Sequence, residues 1–214
     1  MRYTCVLFDL DGTLIDHFKA IHRCHAYAMK QLGMTEPTLA QVRAAVGGGL
    51  DEAITRLAGA EKVPAILHHY VPHWNATNLE DVELLPGALE ILHLLVKAGA
   101  TCGVFTNKRG YSAREVCSHL ALAPLLRGVY GVGDTPWLKP EVAFTQHVLT
   151  QLGAKAEETL LVGDSPFDVQ TARNGGLGFI GVTTGTHSAE ELKTAGADRV
   201  AADLFGVARE LGLA

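Results

Sequence analysis

Two carboxylates two residues apart, Asp9 and Asp11, stand where a buried strand would end. They follow the apolar run Tyr3-Thr4-Cys5-Val6-Leu7-Phe8 and lead through Leu10 into Gly12 and Thr13. A short apolar or β-branched run bounded by a glycine turn reads as a buried parallel strand, and open α/β sheets bind ligands beyond the carboxyl ends of their strands. Residues i and i+2 of an extended chain share a face, so these two charges repel unless a cation sits between them. Asp-Gly is also a common turn pair, and the pentad alone fits either reading.

Three more polar clusters fall at expected strand ends or in a loop beside them. Thr106-Asn107 follows an apolar run over residues 101 to 105, Lys139-Pro140 precedes a helical pattern, and Gly163-Asp164-Ser165-Pro166-Phe167-Asp168 follows the run at 159 to 162. A hydroxyl with backbone amides at a helix start suits a phosphoryl group, a lysine supplies a point charge, and clustered carboxylates suit Mg²⁺. Simpler readings exist beside these. Thr106-Asn107 could cap a helix, Ser165 and Asp168 have capping-box spacing with Pro166 at the first helical position, and Lys139 could be a solvated loop lysine. Asp164 directly follows the strand and precedes the cap residue, so capping does not account for it.

The elements that must position these groups alternate. Strands are expected at 101 to 105, 128 to 132, 159 to 162 and 178 to 182, with a short one near 199 and 200. Helices are expected at 86 to 97, 112 to 120, 141 to 152, 166 to 174, 189 to 195 and after 201. Alternating βα units imply an α/β fold, a doubly wound and mostly parallel sheet with helices on both faces. The stretch from 16 to 82 reads as helices alone: one from about Phe18 to Leu32, one opened by the Thr38/Gln41 capping-box spacing, one from about Asp51 to Leu57, and one after Pro64. This predicts a Rossmann-like core of residues 1–15 and 83–214 with an inserted helical cap of residues 16–82.

Composition narrows the function. The 214 residues, 48% hydrophobic and 19% charged, describe an ordered globular chain, and a net charge of -5 with scattered Lys and Arg argues against nucleic acid as a partner. No secretory signal pattern and no apolar run of roughly 18 residues occur, so a cytoplasmic protein without a membrane partner is expected. Cys5, Cys24, Cys102 and Cys117 lack paired spacing and read as small apolar residues.

In order and spacing, Asp9-Leu10-Asp11-Gly12-Thr13, Thr106-Asn107, Lys139-Pro140 and Gly163 to Asp168 resemble the four motifs of the haloacid dehalogenase superfamily. The helical insertion resembles its small-cap branch, typified by phosphoglycolate phosphatases. The resemblance implies that Asp9 is a nucleophile forming an aspartyl-phosphate and that Asp11 is the general acid and base. It implies Mg²⁺ held by Asp9, the backbone carbonyl of Asp11 and Asp164, with Asp168 a ligand or a partner of one. Thr106 and the Asn107 backbone would grip the phosphoryl group while Lys139 balances charge. Dehalogenases and phosphonatases of the family replace the second Asp of the first motif, so Asp11 favours phosphoester chemistry. Relatives often carry a proline where this chain has Val142, a difference expected to alter only loop rigidity.

The expected substrate is a small phosphorylated metabolite, phosphoglycolate first, and the enzyme a monomer or homodimer. The alternatives are a sugar phosphomutase of the β-phosphoglucomutase type and a catalytically silent binding or regulatory module. Resemblance to phosphoglycolate phosphatases would make Gly47, Gly48 and Gly49, with Arg43, a substrate-anion site, or else a flexible inter-helix loop. His17 is a candidate substrate contact, and Lys19 and Arg23 read as solvated charges. His68, His69 and His73 could suggest zinc, but Pro72 is expected to interrupt their helix and no further ligand completes the set.

Overall fold

The computed structural model describes residues 2–213. In chain order the strands are β1 (Cys5–Phe8), β2 (Ile15–Asp16), β3 (Glu83–Leu84), β4 (Thr101–Arg109), β5 (Gly128–Val132), β6 (Thr159–Gly163), β7 (Gly178–Val182) and β8 (Val200–Ala201). The helices are α1 (Phe18–Gln31), α2 (Leu39–Ala45), α3 (Leu50–Ala58), α4 (Val63–Thr77), α5 (Ala88–Lys97), α6 (Gly110–His119), α7 (Val142–Leu152), α8 (Pro166–Gly175), α9 (Ala189–Thr194) and α10 (Leu204–Glu210). Six strands form one parallel sheet in the order β5-β4-β1-β6-β7-β8.

β1 is buried along its whole length because both faces of the sheet are covered. Alternate side chains go to opposite layers. Val6 and Phe8 pack with Ile91 and Leu95 of α5, Val116 of α6 and Val207 of α10, whereas Cys5 and Leu7 pack with Phe144 and Val148 of α7 and Ala172 of α8. Phe8 is level with Val104 of β4 on one side and Val162 of β6 on the other. The register therefore delivers the residues that follow Phe8, Phe105 and Val162 to one crevice.

Between β2 and β3 the chain is helical, and the two short strands pair antiparallel, Ile15 with Leu84 and Asp16 with Glu83. The exit and the return thus form one narrow ribbon. α1 to α4 share a separate apolar cluster that includes Phe18, Ile21, Cys24, Met29, Val42, Ile54, Ile66 and Trp74. The capping box at Thr38 and Gln41 is present.

Local differences from the sequence reading have physical causes. β4 continues to Arg109 instead of ending at Phe105, because its last residues still pair with β5, Arg109 opposite Val132 after a register shift. α6 consequently begins at Gly110. α5 begins at Ala88 and not at Pro86, since Gly87 has a left-handed backbone (φ 87°) that no helix tolerates. α4 runs unbroken through Pro72. Pro72 and His68, the residue whose carbonyl it leaves unbonded, both lie on the exposed side, where water can serve that carbonyl.

Leu161 lies fully buried in the middle of β6. Leu161→Ala should lower unfolding stability by about 2–5 kcal/mol in urea titration; a loss below about 1 kcal/mol would contradict this packing.

Candidate active site

Asp9 is set by its backbone, whose N–H donates to the Val162 carbonyl at 2.9 Å. Lys139 Nζ donates to Asp9 Oδ1 at 2.9 Å and to Asp168 Oδ1 at 2.5 Å, with the lysine itself only 1% exposed. Asp168 caps α8 as well: its Oδ2 accepts from the Ser165 backbone and hydroxyl, while Ser165 Oγ accepts from the Asp168 N–H. The capping reading of Asp168 therefore holds, and its other oxygen is bonded by Lys139. Asp164 accepts from Thr13 Oγ1 at 3.2 Å and from the Thr186 N–H at 3.1 Å. Gly12 (φ +87°) lets the first loop pass this carboxylate, since a Cβ there would lie 2.7 Å from Asp164 Oδ2.

Two buried carboxylates thus share one ammonium, and Asp164 joins them. Each of Asp9, Asp164 and Asp168 offers an oxygen within 4.8 Å of the others. Burial pushes the Asp9 carboxyl up to about 6; Lys139 opposes this, and the charges of Asp168 and Asp11 reinforce it. Asp164 is raised well above the ordinary carboxylate range by burial and by Asp9 and Asp168. Burial disfavours the Lys139 charge, but Asp168 and Asp9 outweigh it and keep the lysine protonated. A buried, oxygen-only, over-anionic set fits a hard divalent cation such as Mg²⁺. Asp168 is the one of the three whose oxygen is bonded by Lys139 while the other starts α8.

Asp11 has a different environment. Lys108 Nζ reaches its two oxygens at 3.1 and 3.0 Å, and His17 Nδ1 lies 3.6 Å from Oδ1. Burial would raise the Asp11 carboxyl, but the Lys108 ammonium and His17 hold it well below the usual carboxylate range. Lys108 also sits over the Trp74 ring, 4.6 Å from its centroid.

Thr106 and Asn107 lie in the same crevice. Thr106 Oγ1 accepts from the Lys108 N–H at 3.2 Å. The Asn107 side chain joins three segments, donating to the carbonyls of Gly47 and Lys139 at 3.0 Å each and accepting from the Lys139 N–H at 2.8 Å. A cavity of about 90 Å³ opens over these residues, walled on the other side by helices of the insertion. Gly47 and Gly49 line it, and Gly48 does not. Gly48 instead faces Glu52 and Phe167, so close that a Cβ would lie 2.7 Å from Glu52 Cγ.

Two further candidates lie elsewhere than expected. Arg43 does not line the cavity: its Nη2 donates to the Gly185 carbonyl at 2.8 Å and its guanidinium stacks on Phe18 of α1 at 4.1 Å. His17 is fully buried, donating through Nε2 to the Asn78 carbonyl at 2.5 Å, and faces Asp11 and not the cavity. Arg23 bonds Asp81 and the Thr77 carbonyl, while Lys19 is exposed. Among the described residues no histidine belongs to a metal-binding group.

Sequence reasoning missed Lys108, Thr186 and Gly185. Lys108 stands two residues beyond Thr106 in extended chain, the same spacing that singled out Asp9 and Asp11. Thr183-Thr184-Gly185-Thr186 is a polar run at the carboxyl end of β7, where the same rule applied; Thr184 Oγ1 donates to the Gly12 carbonyl at 2.7 Å.

Residues 6–182 match the family model for haloacid dehalogenase-like hydrolases. A 5'-nucleotidase of Pseudomonas aeruginosa is 33% identical, covering 99% of this chain and 96% of the relative. A phosphoglycolate phosphatase of Rhodospirillum rubrum is 30% identical over 97% of this chain and 90% of its own length. A crystal structure from Haemophilus somnus, described as a predicted phosphoglycolate phosphatase, superimposes with a TM-score of 0.91 at 20% identity over 99% of both chains, a likeness of fold.

The raised carboxyls set a pH dependence. A carboxyl raised in the folded state stabilises below its unfolded pKa, and that stabilisation is lost as pH rises through the folded value, about 6 for Asp9. A divalent cation binds the deprotonated form and replaces what is lost. Mg²⁺ at a hundredfold excess over its Kd should add about 2.7 kcal/mol near pH 8, seen as a higher Tm, and clearly less near pH 5. Equal gains at both, or none at either, would contradict the assignment.

Proposed function

Because the chain belongs to the haloacid dehalogenase-like hydrolase family and is a phosphoric monoester hydrolase, we propose that it is Mg²⁺-dependent and works through an aspartyl-phosphate on Asp9. The observation that supports this best is the clustering of Asp9, Asp164 and Asp168, with Lys139 bonded to Asp9 and Asp168, beside the adjoining ends of β1 and β6. Mg²⁺ held by Asp9 and Asp164, with the Asp11 backbone carbonyl, would offset the negative charge of substrate and nucleophile together.

The chain's own residues then divide the work. Lys139 screens and aims the Asp9 carboxylate, whose free oxygen attacks phosphorus. Thr106 Oγ1 and the Asn107 N–H hold phosphoryl oxygens, and Lys139 shares their charge. Asp11 protonates the departing oxygen and later takes a proton from the water that hydrolyses the intermediate. While Lys108 is paired with it, Asp11 stays ionised, so its acid step requires Lys108 to move away. An anionic substrate entering the cavity offers Lys108 that alternative partner. Residues 16–82 form the cap that covers the cleft in this reading, and the four free, buried cysteines fit a reducing cytoplasm.

The relatives' names offer two leaving-group classes, glycolate and a nucleoside. Phosphoglycolate, the substrate expected from the sequence, needs a grip on a carboxylate. Lys108 and Arg109, both in the cavity wall, could provide it. Arg43 does not line that cavity.

Asp9→Asn should cut Mg²⁺-dependent hydrolysis of an aryl phosphate by more than about a thousandfold, and stripping divalent cations should abolish it. Retained turnover in either case, followed by phosphate release, would overturn the mechanism.

A further inference from the structure

The cavity wall is divided by chemistry. The core side supplies the charged and polar groups: Asp9, Asp11, Thr106, Lys108, Asp164 and their neighbours. The insertion supplies apolar or glycine residues, among them Ile21, Val46, Leu50 and Val71, two aromatic rings, Tyr70 and Trp74, and one polar side chain, His25. No cation reaches the cavity from that side among the described residues.

His25 is 1% exposed and neither ring nitrogen has a hydrogen-bond partner. Its ring lies 4.8 Å from that of Tyr70. A buried polar group left unpaired is costly, and the catalytic scheme makes no use of this one. What it borders is the cavity. Burial, with His22 adding to it, pushes the His25 pKa down to about 4, so near neutral pH the imidazole is uncharged and offers one donor and one acceptor. Such a group matches a neutral hydrogen-bonding edge. The insertion itself brings no cation to a second anion; Lys108, from the core, lies 4.6 Å from the Trp74 ring centroid and is paired with Asp11. The volume of about 90 Å³ is several times the ~10–15 Å³ a single water needs, so the space can admit a ring.

We propose that the insertion side of the cavity is a leaving-group subsite for the heterocyclic base of a nucleoside monophosphate, with the base lying against Tyr70 and Trp74 and its polar edge hydrogen-bonded to His25. The subsite makes the enzyme select for the base and against small anionic leaving groups such as glycolate. His25 is its specificity-determining residue. This rests on the phosphatase reading of the core, and the two can be separated experimentally.

The test compares kcat/KM with Mg²⁺ for AMP, GMP, CMP and UMP, for phosphoglycolate and for an aryl phosphate, in the wild type, His25→Phe and His25→Gln. It adds calorimetric binding of the corresponding free nucleosides. The proposal predicts that at least one nucleotide exceeds phosphoglycolate by about tenfold or more. It also predicts that His25→Phe reduces this ratio about tenfold, mainly through KM, and that His25→Gln, which keeps a donor and an acceptor, reduces it less. Preference for phosphoglycolate in the wild type overturns the proposal, and so does a ratio that His25→Phe leaves unchanged. If no phosphate ester is hydrolysed, the phosphatase reading fails by itself. In that case, nucleoside binding weakened by His25→Phe still supports the subsite, and absence of nucleoside binding overturns it.

Discussion

The Lys139 ammonium, bonded to Asp9 at 2.9 Å and Asp168 at 2.5 Å, holds together charges that would otherwise drive the crevice apart. A lysine only 1% exposed is tolerated because carboxylates surround it, and carboxylates this deeply buried are tolerated because the lysine is there. One ammonium among Asp9, Asp168 and Asp164 leaves two formal negative charges unmatched. That excess, arising where parallel strand ends meet, is what a divalent cation can offset. Asp168 contributes by being doubly used: one oxygen starts α8 and the other anchors Lys139, so the helix start and the charge cluster cannot shift independently.

The same economy links the insertion to the core. Asn107 bonds the Gly47 carbonyl and both backbone groups of Lys139, Arg43 bonds Gly185 beside Asp164, and Lys108 bridges Asp11 and Trp74. Each contact joins a residue next to the chemistry to a residue of the helical insertion or of the loop beneath it. Movement of the insertion about the β2–β3 ribbon would therefore be felt at Asp11 through Lys108 and at Lys139 through Asn107. In the proposed mechanism these bonds would couple binding of the leaving group to the readiness of Asp11.

Much of this was legible in the sequence, because buried parallel strands announce themselves as short apolar runs and the residues just beyond them are polar for a reason. Asp9, Asp11 and Asp164 were singled out by that rule and Lys139 by its place in a loop before a helix, and the sheet and its covering helices followed from alternation. The end of β4 was not, since Thr106-Asn107-Lys108-Arg109 looks like a loop and only pairing with β5 keeps it extended. Arg43 and His17 were assigned to the substrate on proximity to a motif. Their actual partners, Gly185 and Asn78, lie 142 and 61 residues away, and no local pattern reports such contacts. His25 sits on the apolar face of α1, where a histidine bordering a cavity and one buried in a core have the same spacing.

The account stands or falls on Asp9 becoming phosphorylated. Acid quenching during turnover of a radiolabelled phosphate ester, followed by peptide mapping, addresses this directly. The account predicts a hydroxylamine-labile acyl phosphate on the peptide carrying Asp9, absent from Asp9→Asn. Turnover with no labelled protein at any quench time, or label on another residue, would contradict it.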